Sequence, residues 1–175
     1  PNVDVYRPFD ANETLGAYKT ILESRRPSCL VLSRNKVELN SSTKVNEVKK
    51  GAYILEEEHG NLEAVLISSG EEIELARKVH KILTERGIAI RLVSMPSIEV
   101  FERQTKKYQE SIIPEDKEVF VIELSSSYSW YKYTNKQEHL FTVDTFGASG
   151  NRNDLLERFG FNSEKIADKI EKLLK

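Results

Sequence analysis

The first 34 positions change their hydrophobic period twice. Val3 and Val5 alternate with polar neighbours up to Pro8, as in a short strand. Asp10 followed by Glu13 reads as a capping-box-like helix start, and Leu15, Tyr18 and Leu22 then share one face at helical spacing. After Arg26-Pro27 the run Cys29-Leu30-Val31-Leu32 is short and wholly apolar, which predicts a fully buried strand ending at Ser33-Arg34. A strand-helix-strand unit belongs to a parallel sheet and cannot make one alone, so residues 1–34 read as the tail of a larger α/β domain.

Residues 35–50 scatter a few Val and Leu among Ser, Asn and charge, the composition of a linker, and the domain boundary is expected there. Two strands at 51–55 and 64–68 then bracket the acidic turn Glu56-Glu57-Glu58-His59-Gly60-Asn61. A helix over 71–86 carries Ile73, Ala76, Val79, Ile82 and Leu83 on one face and stops at Gly87. Strands at 88–93, 119–124 and 140–143 alternate with helices at 98–110 and 153–159. A last helix, capped by Ser163, has Ile166, Ile170, Leu173 and Leu174 as its face. The predicted fold of 51–175 is a three-layer α/β/α sandwich around a mostly parallel sheet of about five strands.

Composition narrows the function classes. Lys and Arg number 26 against 28 Asp and Glu, and no segment gathers the basic residues onto one face, which argues against nucleic acid as a partner. No run reaches the roughly 18 consecutive apolar residues of a membrane span, and no basic-then-apolar leader precedes the first strand. The single cysteine, Cys29, can form no internal disulfide and reads as a small buried hydrophobe, which points to the cytoplasm. A chain that starts on Pro1 is expected to have lost something upstream.

Arg34 stands out among the chemical candidates. It lies just past the end of a strand, where open α/β sheets place ligands, and its planar donor fork suits a phosphate; the alternative is an ordinary loop arginine. The turn Ser68-Ser69-Gly70-Glu71-Glu72 has the strand-to-helix position of an anion cradle. Two glutamates in its first helical turn favour the helix dipole and repel phosphate, so a structural role is expected. His59, His80 and His139 stand far apart, with no metal-ligand spacing, and there is neither G-x-G-x-x-G nor a Walker lysine. Ser126, His139 and Asp144 could be drawn into a hydrolase triad, but no G-x-S-x-G elbow accompanies them. Trp130, Tyr131 and Tyr133 around Lys132 suit either a core contribution or an interface, and the interface is favoured.

Ordered blocks along nearly the whole chain resemble the transketolase family. They are Arg7-Pro8 with Asp10-Ala11-Asn12-Glu13, Leu32-Ser33-Arg34, Gly51-Ala52-Tyr53, Ser69-Gly70-Glu71, Val93-Ser94-Met95-Pro96-Ser97, Trp130-Tyr131-Lys132-Tyr133, Phe146-Gly147-Ala148-Ser149 and Phe159-Gly160-Phe161. Other thiamine-diphosphate enzymes of this fold, such as deoxyxylulose phosphate synthase and the pyruvate dehydrogenase beta subunit, resemble the blocks at Met95-Pro96-Ser97, Trp130 to Tyr133 and Phe146 to Ser149 less closely.

The resemblance implies transfer of a two-carbon ketol unit from a ketose phosphate to an aldose phosphate, a step of the pentose phosphate pathway, with thiamine diphosphate and Mg2+ in the complete enzyme. It implies a homodimer with the cofactor held between the first two domains of opposite subunits. Residues 1–34 then resemble the end of the pyrimidine-binding domain, 35–50 a linker, and 51–175 the C-terminal domain, which supports the dimer. Arg34 corresponds to a substrate-phosphate arginine.

No catalytic, cofactor or metal residue is matched: the Gly-Asp-Gly motif and the activating glutamate are absent. The chain alone is therefore expected to bind no cofactor and to be inactive. Beyond Arg34 the sequence reads Asn35-Lys36-Val37-Glu38, where the family tends to continue with Gln and later Pro. The alternatives are a stand-alone regulatory or binding module of the same fold, and the C-terminal subunit of a split transketolase or related thiamine-diphosphate enzyme.

Overall fold

A computed structural model describes residues 2–175. The N-terminal strand-helix-strand unit forms as β1 (Asp4–Tyr6), α1 (Ala11–Ser24) and β2 (Ser28–Leu30), with the two strands parallel and Asp4 opposite Ser28; β2 stops at Leu30 instead of running on to Ser33-Arg34. The main sheet takes β3 (Tyr53–Glu56), β4 (Ala64–Ser68), β5 (Ile90–Ser94), β6 (Glu118–Ile122) and β7 (Leu140–Phe141) in the spatial order β3-β5-β4-β6-β7. Only β3 runs antiparallel to its neighbour.

Strand alternation explains the layers. Ala64, Leu66, Phe120 and Ile122 face one core, while Val65, Ile67, Val119 and Val121 face the other, so the central strands are apolar throughout. The first core is closed by α2 (Ile73–Glu85) and α6 (Ser163–Leu174), which bring Ile73, Ala76, Val79, Leu83, Ile166 and Ile170 to the sheet. On the second face lie α3 (Ile98–Glu102) and α4 (Lys106–Ile112), with Phe101 and Ile112 inside; α5 (Arg152–Arg158) is a short surface helix. The three-layer α/β/α sandwich with a mostly parallel five-stranded sheet is what the periodicity indicated.

Four local expectations are corrected. The helix expected over 98–110 is two helices, because Thr105 leaves helical geometry to cap α4 from its side chain. The cap of α6 is Asn162, whose side chain accepts from the Glu164 and Lys165 amides, and Ser163 is the first helical residue. On α1 the buried side is Glu13, Gly16 and Ala17, whereas the apolar stripe Leu15, Tyr18 and Leu22 is 51–78% exposed. Cys29 is likewise exposed, and Val31 and Leu32 after it are about half exposed. The reason is shared: β2 pairs with β1 alone, and among the described residues nothing covers this side.

Elsewhere the unit is bound tightly into the fold. Tyr6, Phe9 and Ala17 belong to the same core as α2 and α6. The Arg7 amide donates to the Pro96 carbonyl, and the Gly70 amide donates to the Arg7 carbonyl. Arg103 grips the buried Asp4 carboxylate with two hydrogen bonds, of 2.9 and 2.6 Å, which hold that carboxyl below its usual range. The linker-like stretch 35–50 packs onto α1: the Asp10 carboxylate accepts from the Asn40 amide and the Thr43 hydroxyl, and Val48 is fully buried.

Candidate functional site

Arg34 follows β2 in an exposed bend and makes no ion pair among the described residues. The residues on either side of it are held. Ser33 donates its hydroxyl to the Glu71 carboxylate, the Asn35 side-chain amide donates to both Glu71 oxygens at 3.0 and 2.9 Å, and the Asn35 backbone amide closes onto the Ser33 hydroxyl at 2.9 Å. Glu71 lies in the 3-10 turn Gly70–Glu72 between β4 and α2, and Arg152 of α5 completes its shell at 2.9 Å. Burial raises the Glu71 pKa, but the hydrogen bonds from Ser33, Asn35 and Arg152 outweigh it and hold the carboxyl ionised, below its ordinary range.

A second polar cluster sits at the C-terminal ends of β4 and β6. Arg7 reaches between two buried carboxylates: one guanidinium nitrogen contacts Glu123, the other Glu72 at 3.3 Å. The Ser69 hydroxyl donates to Glu123 at 2.5 Å. Burial pushes the Glu123 carboxyl up to about 7, with the Glu72 charge adding to the rise and Arg7 opposing it. Beside this cluster opens a cleft of about 230 Å3 lined by Val5, Arg7, Ser69, Met95, Pro96 and Trp130, among others. Sequence reading singled out neither Arg7 nor Glu123 as a site. The signal it could have used is their position: each directly follows a strand, Arg7 after β1 and Glu123 after β6.

The other candidates separate. Ser126 donates to Asp144 at 3.1 Å, while His139 bonds the Val119 carbonyl at 3.0 Å and stacks on Phe120 with ring centroids 4.2 Å apart, so no triad forms. His80 is buried against the Ile90 carbonyl and its pKa is lowered by burial; His59 is exposed. Among the described residues no group of three or more His, Cys, Asp or Glu could hold a metal ion, and no helix is long and apolar enough to cross a membrane.

The aromatic run divides too. Trp130 is 3% exposed, turned into the second core beside Val65, Phe101 and Leu140 by the 3-10 turn Ser127–Trp130, which corrects the interface reading for this residue. Tyr133 is partly buried, with its hydroxyl on Glu102 at 2.6 Å, and Tyr131 is exposed.

The family model for the transketolase-like TK C-terminal domain matches residues 51–162. This chain belongs to the transketolase family. It is 42% identical over 166 residues to a transketolase from Streptococcus pyogenes, a match covering 92% of this chain and 23% of that protein. Its fold superposes on Pichia stipitis transketolase in complex with sedoheptulose 7-phosphate with a TM-score of 0.90 at 31% identity, over 99% of this chain and 25% of that one. A split-gene transketolase described as an inactive beta4 tetramer shares the fold, with a TM-score of 0.79 at 20% identity, over 99% of this chain and 58% of that one. The chain thus spans about a quarter of the curated transketolases it matches and corresponds to a C-terminal part.

Proposed function

We propose that this chain is the C-terminal part of a working transketolase and that Arg34 binds the phosphate of its sugar substrates. In the complete enzyme a two-carbon ketol unit passes from a ketose phosphate to an aldose phosphate. The observation that carries the reading is Arg34 itself: a guanidinium with no carboxylate of its own, at a strand exit, between two residues fixed by Glu71. Such a group offers a charge-assisted, two-pronged contact to a phosphate that arrives from outside the chain.

Residues 1–34 serve as the end of the pyrimidine-binding domain, 35–50 join it to the next, and 51–175 form the C-terminal domain that supports a homodimer in the cytoplasm. The exposed apolar side of α1 and β2 favours this division, since Leu15, Tyr18, Leu22, Val31 and Leu32 together form the kind of surface a larger domain covers. Thiamine diphosphate and Mg2+ supply the carbanion chemistry of the complete enzyme. The residues of this chain do not fit that group: there is no Gly-Asp-Gly run and, among the described residues, no carboxylate cluster suited to the metal. What this chain contributes is binding and orientation of the sugar phosphate at its charged end.

Arg34→Ala in the complete enzyme tests the assignment. A hydrogen bond to a charged group contributes roughly 1.5–3 kcal/mol, so kcat/KM for phosphorylated sugars should fall about 10- to 100-fold while unphosphorylated sugars are nearly unaffected. Equal losses on both substrate types would remove the role.

A further inference from the structure

We propose that Glu71 is a positioning residue for Arg34, so that the C-terminal domain sets the geometry of the substrate-phosphate contact. This rests on the reading of Arg34 as the phosphate ligand. Arg34 lies outside regular structure, and a free arginine loop must be ordered each time a phosphate binds, which subtracts from affinity. Glu71 removes much of that cost, because it holds the residue before Arg34 and the residue after it on one carboxylate.

The carboxylate is itself well fixed. Its backbone follows β4, whose five residues are all buried, and the neighbouring Gly70 amide is bonded to the Arg7 carbonyl. Only 17% of the Glu71 side chain is exposed. A bare negative charge beside a phosphate site would oppose binding; here Arg152 at 2.9 Å, with the Ser33 and Asn35 donors, offsets it. The glutamate that a sequence reading takes as repelling phosphate therefore acts as the clamp on the residue that binds it.

The test uses the complete enzyme carrying Arg34→Ala, Glu71→Ala, Glu71→Gln or the Ala/Ala pair, with sedoheptulose 7-phosphate and unphosphorylated sedoheptulose as donors. Glu71→Ala should raise KM for the phosphorylated sugar about 3- to 10-fold, leave kcat within about 2-fold, and leave the unphosphorylated sugar unchanged. Glu71→Gln, which keeps one acceptor, should fall between Glu71→Ala and the parent. In the double variant KM should be no higher than in Arg34→Ala alone, since a clamp has no effect once its arginine is gone. If Arg34→Ala is phosphate-selective while Glu71→Ala is silent, affects both sugars equally, or multiplies with Arg34→Ala, this inference falls and the arginine's role stands. If Arg34→Ala shows no selectivity, both fall.

Discussion

Replacing Glu13 by alanine should destabilise the chain more than any surface change, although the sequence presents it as an ordinary first-turn glutamate. Its side chain is fully buried and accepts three hydrogen bonds: from the Phe9 amide at 2.7 Å, the Tyr53 hydroxyl at 2.6 Å and the Ser94 hydroxyl at 2.6 Å. Burial raises its pKa, and the Ser94, Tyr53 and Phe9 donors oppose the rise. The hydroxyls of Tyr53 and Ser94, on residues 1% and 0% exposed, would lose their acceptor. Each orphaned buried donor costs about 1–3 kcal/mol, and with partial relaxation and non-additivity the total should be about 3–5 kcal/mol. Urea unfolding of the 175-residue chain, followed by far-UV circular dichroism and the fluorescence of its one tryptophan, buried Trp130, measures it. A companion cycle sharpens the result: Tyr53→Phe should cost about 1 kcal/mol in the parent and close to nothing beside Glu13→Ala. A loss below about 1 kcal/mol, or a strictly additive cycle, would refute the reasoning.

Two more perturbations follow from close contacts in the same fold. Gly16→Ala places a Cβ 2.4 Å from the Val45 carbonyl oxygen and 2.7 Å from Val48 Cγ2, so it should lower the urea midpoint by an amount equivalent to about 1–3 kcal/mol, against the better helix propensity of alanine; a raised midpoint would contradict the packing. Glu123 has a folded pKa of about 7 against an ordinary value of 4.5, so its contribution to stability is present at low pH and is lost as pH rises through that window. Glu123→Gln has no such loss, and the advantage of the parent over the variant should shrink by about 2–3 kcal/mol between pH 5 and pH 8. An advantage that is constant or grows with pH would show that Arg7 holds the carboxylate ionised throughout.

The main sheet was legible in the chain because its signals are local. Apolar strands such as Ala64–Ser68 and the 3.6-residue stripe Ile73, Ala76, Val79, Leu83 each name an element, and alternation assigns its faces. Arg34 was singled out from the same kind of local signal, although β2 ends at Leu30 and Arg34 lies four residues beyond it. What periodicity does not carry is whether a partner exists for an apolar face. Leu15, Tyr18 and Leu22 are correctly read as one stripe on α1, yet the side that packs holds Glu13, Gly16 and Ala17. Gly16 admits the close approach of Val45 and Val48, and Glu13 is buried because three donors, two of them from 40 and 81 residues away, meet it there. Trp130 and the Glu71 clamp are of the same kind: an aromatic side chain turns inward, and a carboxylate finds its donors 36 and 38 residues back and 81 ahead. Period and propensity belong to neighbours along the chain, whereas burial, hydrogen-bond satisfaction and charge compensation belong to groups brought together by the packed sheet, so only the folded molecule decides them.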